Sequence, residues 1–309
     1  MSKVVPESPR DGSAETAGFA LETEVFMILV AGATGTIGRA LIPQLLAARA
    51  DVRVLTRDPT RARALWGSDV EVASGDFTDA PSLGRSLEGV ERVFLLTAPG
   101  PTVADHDRAM AAAVMRSRVE QIVKLSAYGA EQEDLIASGW HREGEEAVIA
   151  TGRRFTLLRP AGFHSNVLAW AASVRAGAPI EISTGTGKHA VVDPRDVAAV
   201  AARALTSNDH DGRAYTLTGP VGLDAHEQIA ILAEALGRPL AAEDVTVEHA
   251  AGKMRAAGAP EAFVAAVLQG LTFLRDGRAS APTDDVAAVL GRPPRPFAAW
   301  VRDHLDAFR

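Results

Sequence analysis

The fold of this chain is decided by the stretch MILVAGATGTIGRAL, residues 27–41, in which a short apolar run enters a glycine-spaced turn and then an amphipathic helical pattern. Gly32 allows a sharp turn, Gly35 lets the backbone approach a pyrophosphate, and Gly38 lets the helix pack closely on the strand. The pyrophosphate would lie at the amino-terminal end of the helix, where backbone N–H groups point at it. The stretch therefore predicts a dinucleotide-binding strand–turn–helix unit.

This turn supplies most of the predicted cofactor contacts. The six residues expected to contact the cofactor here are Gly32, Thr34, Gly35, Thr36, Ile37 and Gly38. The alternative is a plain turn between a strand and a helix. The glycine spacing is shared by many proteins, but its position between a strand and a helix favours the cofactor site.

The next strand, predicted over residues 51–56, indicates which dinucleotide binds. It ends at Arg57, about 20 residues after the glycine turn, where NAD-binding sites carry an acidic residue for the ribose 2′-hydroxyl. A guanidinium there can pair with a 2′-phosphate through charge-assisted hydrogen bonds, so NADP(H) is favoured over NAD(H). Asp58 leaves two alternatives open, because it can turn toward the ribose or cap the helix that begins around Thr60.

The residues that follow strands three and four are further candidates, because ligands of parallel sheets lie at the carboxyl ends of the strands. Asp76 and Phe77 are predicted to hold the adenine, by accepting from its amine and by packing on its face. Thr97, Ala98 and Pro99 are predicted to border the nicotinamide ribose. In both cases a turn or cap residue is an equally good interpretation.

Composition excludes several classes of function. The net charge of the 309 residues is −7, which argues against a nucleic-acid surface. The chain has no cysteine, so disulfides and thiolate chemistry are absent, and its eight histidines lack paired ligand spacing, so no metal site is expected. No apolar run approaches the roughly 20 residues of a membrane span, and no secretory segment opens the chain. We therefore expect a cytoplasmic protein with neither a membrane nor a nucleic-acid partner.

Strands and helices alternate after residue 26, which is typical of an α/β fold with a doubly wound parallel sheet of the Rossmann type. We expect a disordered extension over residues 1–26, an NAD(P)-binding domain over 27–160, and a mixed segment over 161–309 that completes the sheet and forms a smaller, mainly helical substrate lobe. Among the predicted elements are a strand at 121–125 and helices at 140–150, 167–175 and 225–236.

Six motifs follow one another in a defined order along the chain. They are GATGTIG (32–38), RDP (57–59), GD (75–76), IVKLS (122–126), LLRPAGF (157–163) with Asn166, and VDPRDVA (192–198). This ordered set resembles the NmrA-like branch of the atypical short-chain dehydrogenases/reductases, and within it the bacterial NAD(P)H:quinone oxidoreductases of the second type and related actinobacterial reductases. The resemblance covers nearly everything after residue 26 and implies a dinucleotide-dependent reductase.

The chain departs from that superfamily at the usual proton donor. Reductases of the superfamily carry a tyrosine and, four residues later, a lysine, but the only tyrosines here are Tyr128 and Tyr215 and neither has that lysine. If Glu145 matches the glutamate of the family helix, Ala137 stands in place of the tyrosine and His141 in place of the lysine. Tyrosine-based acid catalysis at the usual position is then excluded.

Three residues are candidates for the catalytic role. His141, one turn before Glu145, can bind a cofactor hydroxyl or donate a proton with its pKa tuned by that carboxylate, and the alternative is a helix histidine simply paired to Glu145. Ser126 can hydrogen-bond a substrate carbonyl or cap the next turn. Tyr128 lies two residues further on and is a candidate displaced proton donor.

The segment after strand six is the predicted substrate pocket. Phe163, His164 and Asn166 are expected to line it, with the aromatic ring stacking on a flat substrate. Asn166 has an alternative role as the cap of the helix at 167–175. Asp193, Arg195 and Asp196 are interpreted as a helix cap and ion pairs that join the two parts of the chain.

These features lead to one main functional hypothesis and two alternatives. The main hypothesis is hydride transfer from NADPH to a quinone or aromatic ketone, because a conjugated acceptor stabilises its own developing negative charge and needs no strong acid from the protein. The substrate is then a small aromatic or quinone molecule, and a homodimer or protein partner stays open. The first alternative is a redox-sensing regulator that binds NAD(P) without turnover and acts through a protein partner. The second is an isomerase or epimerase that uses bound cofactor transiently.

Overall fold

A computed structural model describes residues 26–132 and 135–309 of the chain. The described residues form nine strands: β1 (Met27–Ala31), β2 (Asp51–Thr56), β3 (Glu71–Ser74), β4 (Arg92–Leu95), β5 (Gln121–Leu125), β6 (Arg154–Pro160), β7 (Ile180–Ile182), β8 (Arg213–Leu217) and β9 (Ala242–Asp244). Seven of them build one parallel sheet in the order β3-β2-β1-β4-β5-β6-β8. The other two, β7 and β9, pair in a separate parallel ribbon.

The helices connect these strands. The α-helices of the described residues are α1 (Thr36–Ala47), α2 (Pro59–Trp66), α3 (Ala80–Ser86), α4 (Val103–Met115), α5 (Ile136–Ala150), α6 (Ala171–Ala176), α7 (Pro194–Thr206), α8 (Ala225–Leu236), α9 (Val247–Ala256), α10 (Glu261–Arg275), α11 (Asp285–Leu290) and α12 (Phe297–Asp303). Two short 3₁₀ helices span His164–Trp170 and Leu305–Ala307. Residues 1–25 lie outside the described residues, and with them nearly all of the predicted extension.

The sheet carries helices on both faces, as a doubly wound sheet requires. On one face, apolar side chains of α1 and α7, such as Leu41 and Val200, pack with Ile28 and Val30 of β1. On the other face, side chains of α3, α4 and α5 pack with Leu29. Because neighbouring residues of β1 point to opposite faces and both faces are covered, the strand is a continuous apolar run. The α/β Rossmann-type prediction is confirmed.

A third apolar cluster forms the core of the mainly helical carboxyl-terminal region. It brings together the 3₁₀ helix, α6, β7, α8 and α12, with Val174, Ile182, Leu232 and Trp300 almost fully buried. This region packs beside the carboxyl end of the sheet through the segments that follow β6 and β8.

His164 belongs to this core and not to a pocket. Its side chain is about 1% exposed and meets the rings of Phe297 and Trp300 edge-on, with centroids 5.3 and 6.4 Å apart. Its backbone N–H donates to the Val192 carbonyl, which turns the ring inward. The expectation that His164 lines the substrate pocket is therefore wrong.

The predicted cap at Asn166 is also wrong. The expected helix at 167–175 is divided into the 3₁₀ helix and α6, and Asn166 is an exposed residue inside the 3₁₀ helix. Its own N–H donates to the Phe163 carbonyl, and no side chain of the described residues caps this helix. The tight 3₁₀ geometry starts directly after the extended Phe163, which leaves no cap position for Asn166.

Other predicted elements are found where they were expected or close by. The strands at 51–56 and 121–125 and the helix at 225–236 have the predicted bounds, whereas α5 begins at Ile136, one turn before the expected start. Phe26 was assigned to the extension, but its ring packs under the guanidinium of Arg92, 3.6 Å from the ring centroid.

None of the helices in residues 26–132 and 135–309 is long and apolar enough to cross a membrane.

Two buried carboxylates fasten the carboxyl-terminal segment to α7. Asp193 caps α7 by accepting a hydrogen bond from the backbone N–H of Arg195. The guanidinium of Arg195 forms an ion pair with Asp303 of α12 at 2.6 Å. Asp196 is fully buried and accepts from Arg292 at 2.7 Å and from the backbone N–H and side chain of Arg295. The expected cap and ion pairs are therefore present, but all of their partners lie within residues 161–309.

We expect Asp196→Asn to lower the free energy of unfolding by about 3–5 kcal/mol, because it leaves two partly buried guanidinium groups without their charged partner. The matched control is Asp303→Asn, whose side chain is 52% exposed, so that its loss should change the free energy of unfolding far less, because solvent screens exposed ion pairs. Urea unfolding at pH 7 measures both. Equal losses for the two variants would contradict the role given to Asp196.

Burial lowers the pKa of His164 to about 4, because the charged ring would lie in an apolar core. Between pH 6.5 and 4 the histidine is therefore protonated in the unfolded chain but not in the folded chain. The free energy of unfolding falls as the pH falls through this range. We expect His164→Phe to flatten this loss by up to about 1.4 kcal/mol per pH unit. Urea unfolding at several pH values measures the slope, and His226→Asn, at an exposed histidine, should keep the wild-type slope.

Candidate active site

A cleft with a volume of about 620 Å³ lies over the carboxyl ends of β1, β2, β3 and β4. The residues that line it are Gly32, Ala33, Thr34, Gly35, Leu55, Thr56, Arg57, Gly75, Asp76, Phe77, Thr78, Leu96, Thr97, Ala98, Pro99 and His106. Four strand ends thus meet at one site, and most of the residues predicted to contact a cofactor line the same cleft. His106, on α4, was not predicted.

The glycine turn shapes one wall of the cleft. Gly32 has a φ of +69°, and a Cβ atom on Gly38 would lie 2.4 Å from the Gly32 carbonyl oxygen, so α1 approaches the end of β1 as closely as a backbone can. Gly35 precedes α1, and among the described residues no side chain caps this helix. The first-turn N–H groups, including those of Thr36 and Ile37, are left for a ligand, which fits the pyrophosphate of a dinucleotide.

Arg57 and Asp58 resolve the ambiguity at the end of β2. Asp58 accepts from the Arg61 N–H and caps α2, so its carboxylate is committed to the helix and not to a ribose. The side chain of Arg57 lines the cleft and is 82% exposed, with its Nε 3.8 Å from Asp76. A mobile guanidinium at the edge of a cleft suits a phosphate group of a ligand.

Asp76 and Phe77 form the opposite wall. One oxygen of Asp76 accepts from both the N–H and the hydroxyl of Thr78, and these bonds lower the pKa of the carboxyl. Asp76 is therefore a turn residue that also lines the cleft. The ring of Phe77 stacks on His106 with centroids 5.3 Å apart and an angle of 17° between the planes. These two rings offer a flat surface for an aromatic base.

Behind Thr97 lies a buried ion pair that sequence reasoning missed. Lys124 of β5 and Asp107 of α4 are fully buried, with Nζ and Oδ2 2.5 Å apart, and the Thr97 hydroxyl is 3.4 Å from the second oxygen of Asp107. Helix α5 packs on the pair, since a Cβ atom on Gly144 would lie 2.0 Å from Asp107. The one signal in the sequence was a lysine in the middle of an apolar strand.

Glu145 does not control the pKa of His141 in the way that was expected. Glu145 forms two hydrogen bonds with Arg159, at 2.9 and 2.6 Å, and does not pair with the histidine. Burial, with a contribution from Lys124, lowers the pKa of His141 to about 4 and outweighs the opposite effect of Glu145. The ring is neutral near pH 7, so proton donation by an imidazolium is not supported. Its Nδ1 is buried and has no partner among the described residues.

Ser126 and Tyr128 follow β5 at the same edge of the sheet. The Ser126 hydroxyl is buried and has no hydrogen-bond partner in the described part of the chain. The Tyr128 hydroxyl donates to the Arg278 carbonyl at 3.3 Å, and its ring meets Phe273 of α10 edge-on at 6.4 Å. The second tyrosine, Tyr215, is bonded to His210 in the loop before β8 and lies away from this edge.

Phe163, in the predicted substrate segment, lies three residues after the end of β6. It is partly buried, packs against the core and forms an isolated bridge with Val192. His164 is enclosed in the carboxyl-terminal core, whereas Asn166 is exposed and donates its N–H to the Phe163 carbonyl. In the two described ranges, no group of three or more histidine or acidic residues could hold a metal ion.

Comparisons with known proteins agree with this geometry. A family described as NAD(P)H-binding matches residues 32–208, more than half of the chain. The (4-alkanoyl-5-oxo-2,5-dihydrofuran-3-yl)methyl phosphate reductase of Streptomyces griseus is 42% identical over 285 residues, which cover 91% of this chain and 99% of that protein. The NAD(P)H azoreductase of Xenophilus azovorans is 34% identical over 283 residues, with 91% and 99% covered.

Solved structures show the same fold. The NADPH complex of the quinone oxidoreductase QOR2 from Escherichia coli is 25% identical, with a TM-score of 0.81 over 91% of this chain and 100% of that one. The triphenylmethane reductase of a Citrobacter species, complexed with NADP(H), is 25% identical with a TM-score of 0.78, covering 89% and 99%. The glycine turn, the strand-end cleft and these matches together show that the chain belongs to the NAD(P)H-binding family of NmrA-like reductases and is an NAD(P)H-dependent oxidoreductase.

Proposed function

We propose that the protein transfers hydride from NADPH to a quinone or aromatic ketone. The observation that carries the cofactor half of this proposal is the pair formed by Arg57 and Asp58 at the end of β2. The guanidinium faces the cleft, whereas the carboxylate that would select NAD is turned away to cap α2. This arrangement supports the proposal that Arg57 is the cation that binds the extra phosphate of NADP.

We propose that different residues of the cleft bind different parts of the cofactor. The amino-terminal turn of α1 would bind the pyrophosphate, and Arg57 the 2′-phosphate. Phe77 and Asp76 would hold the adenine, by ring stacking and by the carboxylate oxygen that faces Arg57. Thr97, Ala98 and Pro99 would border the nicotinamide ribose, and the buried pair behind Thr97 fixes the position of that wall.

The class of hydride acceptor is inferred from the proton donors that the described residues provide. NADPH supplies a hydride when bound, and the acceptor must then carry a negative charge until a proton arrives. If Glu145 matches the glutamate of the family helix, Ala137 and the neutral His141 stand in place of the tyrosine and the lysine, and neither is a strong acid. An acceptor that delocalises the charge over its own conjugated system needs no strong acid, and quinones and aromatic ketones do this.

Two unpaired polar atoms support a polar acceptor at this edge. Ser126 Oγ and His141 Nδ1 are buried without partners in the described residues, which is costly unless a ligand completes their hydrogen bonds. We propose that they bind the nicotinamide ribose or the acceptor oxygen, and that Tyr128 borders the acceptor. Catalysis then comes chiefly from holding the two reactants close together.

The substrates named for the relatives also support a conjugated hydride acceptor. Azo compounds, quinones and an acylated unsaturated furanone share an electron-poor conjugated system that accepts hydride. The furanone phosphate is a second candidate, favoured by the 42% identity of that reductase over nearly its whole length. A panel of acceptors that tests the proposed function must therefore include this furanone phosphate.

We expect the purified protein to oxidise NADPH in the presence of one class of conjugated acceptor, followed as loss of absorbance of the reduced nicotinamide. Gly35→Asp should abolish this activity, because a carboxylate at the start of α1 repels the pyrophosphate and fills the space it needs. The matched control is Gly252→Asp, which adds the same charge on exposed α9 where a Cβ atom meets nothing within 4 Å. The panel comprises quinones, polycyclic aromatic ketones, azo dyes and an acylated furanone phosphate.

Tight binding of NADPH without turnover of any acceptor in this panel would contradict the proposed function and favour the regulator. Turnover of the furanone phosphate alone would replace quinones by the second candidate. Loss of activity in both glycine variants would show that added charge, and not its position, disturbs the protein.

We expect Arg57→Ala to weaken NADPH binding by about 10- to 100-fold, because charge-assisted hydrogen bonds contribute about 1.5–3 kcal/mol. Binding of NADH should change less than threefold. Titration of nicotinamide fluorescence measures both dissociation constants, and Arg85→Ala, at an exposed residue of α3, is the control. Equal weakening of NADPH and NADH in Arg57→Ala would contradict the assignment of the 2′-phosphate.

A further inference from the structure

A histidine that the mechanism above does not use lies where three loops meet after β6. The backbone N–H of Gly162 donates to Nε2 of His189 at 2.9 Å. His189 also bridges Leu223 on one side and Ala279 on the other. We call this site, formed by Gly162, His189, Leu223 and Ala279, the β6 junction.

The hydrogen bond from Gly162 fixes which ring nitrogen carries the proton. A neutral imidazole has one N–H and one acceptor nitrogen, and Nε2 is the acceptor here. The proton is therefore on Nδ1. Burial lowers the pKa of His189 to about 4, so the ring is neutral at physiological pH and keeps this tautomer.

The ring is also held in place sterically. A Cβ atom on Gly162 would lie 2.4 Å from Cε1 of His189, so the ring packs directly on the glycine backbone. The Nδ1–H has no partner among residues 26–132 and 135–309, and it is not one of the enclosed unpaired atoms. The structure thus offers a neutral donor on a ring that is held in place and only partly exposed.

The β6 junction lies at the edge of the sheet where the acceptor is expected. Gly162 follows the carboxyl end of β6, and the Tyr128 N–H donates to the carbonyl of Pro160 at the end of the same strand. The Tyr128 hydroxyl reaches the carbonyl of Arg278, the residue before Ala279. Tyr128 and His189 therefore border the same segment, next along the sheet from the cleft over β1 to β4.

We propose that His189 is a catalytic residue whose Nδ1–H donates a hydrogen bond to the carbonyl oxygen of the acceptor. This inference rests on the proposed function and names the group that stabilises the negative charge developing on the acceptor. As hydride adds to the acceptor, an electron pair moves onto the carbonyl oxygen, and His189 stabilises it without giving up its proton. Water supplies the proton that completes the hydroxyl, and NADPH leaves as NADP⁺. A fixed neutral donor is effective there because it needs no reorganisation.

Two substitutions separate this role from a structural one. His189→Gln places an amide oxygen near the Nε2 position, so it can keep the bond from Gly162 but has no donor at Nδ1. His189→Asn places an amide N–H near the Nδ1 position but cannot reach Gly162. We expect His189→Gln to lose about 100-fold in kcat while its melting temperature and NADPH dissociation constant stay near the wild-type values. His189→Asn should melt earlier and yet keep more activity than His189→Gln.

The acceptor for this comparison is 1,4-naphthoquinone with NADPH. A wild-type kcat in His189→Gln, together with an unstable His189→Asn, would overturn the proposal and leave His189 as a loop tether. Loss of NADPH binding in His189→Gln would overturn it as well, because the residue would then act through the cofactor cleft.

A second measurement does not depend on turnover. In protein labelled with ¹⁵N-histidine, long-range proton–nitrogen correlations should show His189 as the Nδ1–H tautomer, with the missing signal of His189→Gln giving the assignment. Addition of 1,4-dihydroxynaphthalene to the NADP⁺ complex should shift the Nδ1 resonance. An unchanged resonance overturns the proposal. If wild-type protein turns over no quinone, the proposed function fails, and the resonance alone decides the role of His189.

Discussion

The cleft of this protein depends on how closely α1 lies against the end of β1. Only a hydrogen atom fits at Gly38, because a Cβ atom there would approach the Gly32 carbonyl to 2.4 Å. This contact brings the uncapped first turn of α1 directly over the sheet edge, so its N–H groups face the space between β1 and β4. A wider separation would still permit a parallel sheet, but it would carry the N–H groups away from the other strand ends.

The sequence was sufficient to predict the elements whose pattern is local. β2 and the glycine turn are marked by residues within a few positions of one another, and their positions in the cleft follow from the rule that parallel strands end at one edge. The residues after β3 and β4 that line the cleft were predicted by the same rule. For Asp58 the sequence left two roles open, because both use the same residue and differ only in where the carboxylate points.

Other features depend on contacts between distant parts of the chain. Lys124 and Asp107 are 17 residues apart and become partners only when α4 packs on β5. His189 was missed because it lies in a stretch with no regular period, and its partner Gly162 is 27 residues away. His164 was misplaced because its neighbours in sequence suggest a pocket, whereas the rings that enclose it come from α12. Propensity and spacing carry no information on such pairs.

Helix α1 is covered by α7, which also packs on β4, β5 and β6. Since α7 ends at Thr206 and α1 at Ala47, the ribosome must add 159 residues before that apolar face can be covered. At the usual rates of synthesis this takes roughly 8–30 s. During that interval the nascent chain presents the apolar side chains of α1 to the cell, and we expect chaperones to bind it there until α7 emerges.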